Sequence, residues 1–259
     1  MQDLRVTIVQ SMLHWEDANA NRAMFSEKLA ALKGTTDLVV LPEMFTTGFS
    51  MRSTDLAEDM SGETVQWMRE QAKRLDAALY GSVIITENGK FLNRGLFVKP
   101  DGSVKTYDKR HLFRFANETD HFSAGTERVV VEWRGWRILL QVCFDLRFPV
   151  FARNRGDYDA ILYVANWPEA RRFPWSQLLI ARAIENQCYV AGVNRVGMDG
   201  KGIHYTGDSV VIDPHGATIG QVEPAQEGAS TIAFEWIALE DFREKFPVAK
   251  EADDFELKF

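Results

Sequence analysis

Short apolar runs alternate along this chain with stretches of helical spacing, and that alternation narrows the fold more than any other feature. Strand-like runs fall at 5–9, 37–41, 79–86, 95–98, 129–133, 137–142, 160–164, 189–194, 209–212 and 230–234. Apolar side chains recur at helical intervals at Phe25, Leu29 and Leu32. They recur again at Val65, Met68, Ala72, Leu75 and Leu79, with Ser61 as the expected N-cap, and at Trp175, Leu178, Leu179, Arg182 and Asn186. Strands alternating with helices indicate the α/β class. There is no internal repeat, low-complexity tract or linker, so residues 1–259 are read as a single domain. At 46% hydrophobic and 26% charged, a chain of this length can bury one large core.

Two strand ends and one loop carry reactive side chains. Cys143 follows the apolar run 138–142 and precedes Phe144-Asp145-Leu146-Arg147-Phe148-Pro149, which reads as a turn into a helix. Free N–H groups at such a junction favour a thiolate and any oxyanion formed beside it. Glu43 ends the run Leu38-Val39-Val40-Leu41-Pro42, and Lys109 lies in the cationic stretch Tyr107-Asp108-Lys109-Arg110-His111. Each also has a plain structural reading: a buried inert thiol, a solvated strand-end carboxylate, a surface lysine. Together they supply a nucleophile, a base for its proton and a fixed cation for a developing oxyanion, which is what thiol-dependent amide hydrolysis requires. A Cys-His enzyme using His204 or His215 is the competing arrangement, but the local cysteine signature of papain-like proteases is missing.

In these segments the chain resembles the nitrilase superfamily of carbon-nitrogen hydrolases: Leu-Pro-Glu43-Met, Tyr-Asp-Lys109-Arg-His-Leu-Phe and Val-Cys143-Phe-Asp-Leu-Arg-Phe-Pro match in order. A second glutamate of that family is matched, more loosely, by Glu118 ahead of Gly125. The likeness continues through Tyr163-Val-Ala-Asn166-Trp167-Pro168, 181–187 and 207–216, so it covers nearly the whole chain. It implies a four-layer αββα sandwich, a Glu43-Lys109-Cys143 catalytic set with Glu118 orienting Lys109 or assisting proton transfer, and the backbone N–H of Phe144 as an oxyanion donor. It also implies the activity of the bacterial omega-amidase branch, hydrolysis of the terminal amide of short 2-oxo dicarboxylic monoamides. The alternatives are an amidase for another small acidic amide, such as a deaminated peptide, and a non-catalytic binder on the same fold.

A substrate of that kind carries a carboxylate far from the scissile amide, and a buried anion needs a cation or fixed donors. Arg171, Arg172 and Arg195 are the candidates, beside Asn166 and Trp167; Trp167 and Phe144 are expected as pocket walls, and Arg147 as the structural partner of a nearby carboxylate. Solvated arginines and aromatic core packing are the competing readings. A net charge of −7 with no basic stripe argues against nucleic acid. No run is long enough to span a membrane, and the first residues read as a strand and not a signal peptide. Five histidines without ligand spacing, two cysteines outside any Cys-x-x-Cys unit and the lack of a phosphate loop leave no metal and no cofactor expected. An active thiol suits the cytoplasm, and the family's habit of associating through helices near the cysteine points to a homodimer or higher homo-oligomer. The acidic tail 250–256 is expected along the surface.

Overall fold

A computed structural model describes residues 2–256. Fourteen strands occur among them: β1 (Leu4–Gln10), β2 (Leu38–Val40), β3 (Ala78–Glu87), β4 (Lys90–Val98), β5 (Val104–Asp108), β6 (Val130–Trp133), β7 (Trp136–Val142), β8 (Ala160–Ala165), β9 (Tyr189–Asn194), β10 (Val196–Met198), β11 (His204–Thr206), β12 (Val210–Ile212), β13 (Thr218–Gln221) and β14 (Gly228–Phe234). Two six-stranded sheets form, in the orders β14-β1-β2-β3-β4-β5 and β13-β12-β9-β8-β7-β6, while β10 and β11 pair as a separate hairpin. Each sheet has a parallel centre, β1-β2-β3 and β7-β8-β9, edged by antiparallel strands.

Burial on both faces explains why the central runs are almost continuously apolar. Leu38 and Val40 of β2 point into the core shared by the two sheets, with Ile138, Leu140 and Val142 of β7. Val39 and Leu41 point the other way, onto Phe25 and Leu29 of the helix Ala18–Ala30 and Val65, Met68 and Leu75 of the helix Glu63–Leu75. On the far side, Trp175, Leu179 and Ala183 of the helix Arg172–Asn186 cover the second sheet. The result is the expected αββα sandwich. The phenol of Tyr80 on β3 crosses the seam, donating to the Gln141 carbonyl on β7 at 3.1 Å.

Several local expectations need correction. Ser61 does not cap the second helix: its hydroxyl donates to Asp59, and the Glu58 carboxylate accepts the first-turn N–H of Thr64 at 2.7 Å. That helix ends at Leu75, where Asp76 adopts a left-handed conformation (φ 54°), so Leu79 belongs to β3 alone. β4 begins at Lys90 instead of 95, because Asn88 and Gly89, both at positive φ, make the two-residue turn that a hairpin favours. The polar edge strand β5, the hairpin β10-β11, β13 and the helix Trp236–Lys245 lack a strong apolar period and were not expected; of that helix only Trp236 and Leu239 are buried. The tail does run over the surface, with Phe255 under the Arg155 guanidinium.

The strand ends bring the reactive residues together. β2, β5, β7 and β8 lead into Glu43, Lys109, Cys143 and Asn166 respectively, all at carboxyl ends, where open α/β sheets form their crevices. The loop carrying Lys109 is gripped by the chain after Glu118: the Gly125 N–H donates to the Lys109 carbonyl at 3.0 Å, and a Cβ at Gly125 would sit 2.2 Å from the Asp108 carbonyl oxygen. Rigid backbone, not a flexible side chain, occupies that space. Gly125→Ala is therefore expected to cost ~1–3 kcal/mol, read as a fall in melting temperature of roughly 2–12 °C; an unchanged melting temperature would show that the two segments do not need this close approach.

Candidate active site

The chain leaves β7 through a sharp reversal. Cys143 has φ 48°, a left-handed conformation that a non-glycine side chain adopts only at a cost, and it opens a five-residue 3-10 turn, Cys143–Arg147. The following helix is only the four-residue Pro149–Ala152, so an extended helix dipole behind the thiol, as read from the sequence, is not what forms. What remains is local: the first N–H groups of the turn, Phe144 among them, have no acceptor within the turn. Asp145 locks the reversal in place. Its buried carboxylate accepts from the Val142 N–H at 3.0 Å, the Tyr107 hydroxyl at 2.7 Å and the His111 N–H at 2.9 Å, tying the cysteine turn to the loop that carries Lys109. The His111 ring stacks on Phe148 at 3.8 Å, on the same turn.

Glu43, Lys109 and Glu118 are all buried and in contact. Lys109 Nζ lies 2.9 Å from Glu43 Oε1 and 3.0 and 2.9 Å from the two oxygens of Glu118. Asn93 on β4 donates its side-chain N–H groups to both carboxylates, at 2.8 Å to Glu43 and 3.2 Å to Glu118. The Asn166 backbone N–H donates to Glu43 Oε2 at 2.8 Å, and its side-chain amide to the Glu43 carbonyl at 2.6 Å. Cys143 Sγ lies 4.0 Å from the Asn166 carbonyl oxygen.

Charge and burial compete here. Burial alone would lower the Lys109 ammonium's proton affinity, but Glu118 and Glu43 beside it hold it well above the ordinary lysine value. Glu118 is raised, by burial first and by Glu43, with Lys109 opposing. The Cys143 thiol is pushed well above its usual 9.0, chiefly by burial and then by the Glu43 charge, which outweigh the pull of Lys109. So the resting nucleophile is a neutral thiol, contrary to the thiolate suggested by its place at a strand end.

A pocket of about 700 Å³ opens over Cys143, walled by Phe49, Phe113, Phe144 and Trp167. Of the three arginines proposed to meet a carboxylate, only Arg171 lines it. Arg172 faces outward and pairs with Asp208 at 2.7 Å. Arg195 is fully buried behind Tyr205, its guanidinium 4.8 Å from that ring and donating to the carbonyls of Val196 and Met198. Arg147, expected to be a structural ion-pair partner, has no carboxylate partner among the described residues; it lines the pocket with its guanidinium 5.2 Å from the Trp167 ring. Asn166 lines the pocket too, but its N–H groups serve Glu43. Trp167 is held in the wall by its backbone N–H to Asn194 and its indole N–H to the Arg171 carbonyl, both at 2.7 Å.

Three residues escaped the sequence reading: Asn93, Asp145 and Asn194. Asn93 had the clearest signal, a polar amide inside the strand run Phe91-Leu92-Asn93, with nothing to say what it faced. If the thiol is neutral at rest, thiolate absorbance near 240 nm from Cys143, isolated as the difference between the wild-type protein and Cys143→Ala, is expected to stay absent as pH is raised through 9. A titration near neutrality would show that the buried charges favour the anion.

The carbon-nitrogen hydrolase family model matches residues 5–244. Omega-amidase YafV of Escherichia coli K12 is 50% identical over 259 residues, covering 99% of this chain and 100% of that protein. The 2-oxoglutaramate amidase of Bacillus subtilis 168 is 34% identical over 217 residues, 82% of this chain and 83% of its own. Among solved structures, XC1258 of Xanthomonas campestris, a CN-hydrolase superfamily protein with an arsenic adduct in its active site, superposes with a TM-score of 0.98 at 50% identity and complete coverage of both chains. Nit3 of Saccharomyces cerevisiae superposes with a TM-score of 0.85 at 25% identity, covering 95% of each.

Proposed function

The chain belongs to the carbon-nitrogen hydrolase family, and from that premise we propose that it is an omega-amidase, converting 2-oxoglutaramate or 2-oxosuccinamate to the 2-oxo acid and ammonia through a cysteine thioester. The observation that carries the chemistry is the buried contact of Lys109 with Glu43 and Glu118 beside Cys143. The substrate class rests on the relatives named omega-amidase and 2-oxoglutaramate amidase, and on the two arginines at the pocket wall.

In this reading Glu43 takes the thiol proton as Cys143 Sγ attacks the amide carbon, so no free thiolate accumulates. The carbonyl oxygen becomes an oxyanion between the Lys109 ammonium and the Phe144 N–H; a well-placed donor of this kind is worth roughly 3–4 kcal/mol. Collapse breaks the C–N bond, and the proton held by Glu43 leaves with ammonia. Glu43 then removes a proton from water, which attacks the thioester; the second tetrahedral intermediate expels the sulfur, and Cys143 regains its proton. Glu118 keeps Lys109 charged and aimed. Arg147 and Arg171, in place of Arg172 and Arg195, take the distal carboxylate.

The same reading treats 1–259 as one carbon-nitrogen hydrolase domain, supported by a core that draws side chains from both sheets. It places the enzyme in the cytoplasm, which suits two free cysteines, and as a homodimer or higher homo-oligomer, which suits the exposed Phe173 and Ile184 on the helix Arg172–Asn186. Among the described residues no helix is long and apolar enough to cross a membrane.

Ammonia release under matched conditions tests the assignment. The two oxo-acid amides are expected to be far better substrates than glutamine, asparagine or simple nitriles, because an amino acid brings an ammonium that must be desolvated beside Arg147 and Arg171. Equal efficiency on glutamine would sink it. Cys143→Ala is expected to abolish turnover, while Cys188→Ala stays near wild type. Arg147→Met or Arg171→Met should raise KM about 10- to 100-fold, the loss of a charged hydrogen bond of roughly 1.5–3 kcal/mol, with kcat less affected; no change in either would assign the carboxylate to other donors.

A further inference from the structure

Asn93 meets the charged cluster through three hydrogen bonds made by two of its groups. Its backbone carbonyl accepts the backbone N–H of Lys109 at 3.0 Å, and its side-chain nitrogen donates to Glu43 Oε1 and Glu118 Oε1. The side chain is fully buried, and its own carbonyl oxygen has no partner. A buried unpaired amide oxygen is a cost, and rotating the amide would remove neither the cost nor its cause, since that would aim the oxygen at two carboxylates and lose both donors. The site keeps the N–H groups inward.

We propose that Asn93 is a positioning residue for the amidase chemistry, a neutral double donor that bridges Glu43 and Glu118 and keeps Glu43 ionised and ready to accept the Cys143 proton. The inference rests on the catalytic reading of Glu43, Lys109 and Cys143 given above. One ammonium faces two fully buried carboxylates, so one negative charge is left over. A second cation would draw Glu43 away from its role as base. The Asn93 amide offers each carboxylate an N–H without adding charge. The titratable groups around it come from every neighbouring element: Glu43 after β2, Tyr80 on β3, Lys109 after β5, Glu118 at its helical turn, and Cys143 and Asp145 after β7. Only Lys109 supplies positive charge among them, so losing the Asn93 donors makes the carboxylate pair easier to protonate.

The test is the pH profile of two variants of nearly the same size. Asn93→Leu removes the donors without adding charge, and is expected to lower kcat about 10- to 100-fold with KM little changed and the acidic limb of kcat/KM moved up by about one pH unit. Asn93→Asp places a third carboxyl there, which donates only when protonated; its activity is expected to recover toward lower pH, the opposite trend. Rates are expressed per folded molecule, counted from the native fraction in thermal unfolding, so partial unfolding does not enter. The pH profile of Cys143 alkylation by iodoacetamide, which needs no substrate, is expected to move in the same directions. If both variants keep the wild-type acidic limb in turnover and alkylation, Asn93 is a packing residue and the proposal is overturned. If either variant does not fold, the other decides by the sign of its shift. Wild-type protein that alkylates normally but releases no ammonia from any amide would instead defeat the omega-amidase reading, leaving the alkylation comparison to judge Asn93.

Discussion

An ammonium and two carboxylates shut away from water at one end of the sandwich are the constraint the rest of this site answers to. Isolated, any one of these ions would be prohibitively expensive to bury. In contact, with Asn93 and the Asn166 backbone supplying further donors, each oxygen facing the cluster has a partner. Keeping such partners within 3 Å demands rigid supports, which explains why the groups stand at the ends of buried strands and why the glycine at 125 must let backbone meet backbone. Breaking one contact would strand a buried charge, so the arrangement is held as a unit.

That same burial decides the state of the nucleophile. A thiol beside an ammonium is usually pictured as an anion, yet here desolvation and the Glu43 charge prevail over Lys109, and the proton stays on sulfur. A neutral thiol reacts with oxidants and alkylating agents only as fast as a base takes its proton, because the thiolate is the reactive form. It becomes a nucleophile only when a base takes the proton during attack, so the base must already be in place. The left-handed backbone at Cys143 and the Asp145 clamp serve that geometry, aiming the side chain into the pocket while the first amides of the turn stay free.

Above the thiol the pocket changes character. Its walls are aromatic, and Arg147 and Arg171 lie against Trp167 and Phe113. An arginine resting on an aromatic face keeps its fork of donors available while its stem covers apolar surface. Such a pocket suits a short, flat, anionic substrate. Arg195, by contrast, turns Nε and Nη2 to the hairpin root at Val196 and Met198, leaves Nη1 without a partner among the described residues, and shapes the wall from behind.

The amino-acid sequence determined by itself whatever depends on local pattern: the apolar runs that become paired strands, the three helices with recurring apolar positions, and the placement of Glu43 and Cys143 at or just past strand ends, with Lys109 in a loop. These follow from periodicity and residue chemistry, which are carried along the chain, and the order of the motifs sufficed to suggest the family. Polar edge strands, the helix Trp236–Lys245 and the true cap at Glu58 were less legible, because burial or a hydrogen-bond partner, not period, defines them. Which arginine faces the pocket was decided only in three dimensions: Arg171 and Arg172 are neighbours in sequence, yet the turn between them sends one to Phe113 and the other to Asp208. The meeting of Asn93 with Glu43 and Glu118 and the neutral thiol were also tertiary outcomes. Each depends on the distance between groups brought together from separate strands and on the exclusion of water between them, and neither quantity exists until the two sheets have packed.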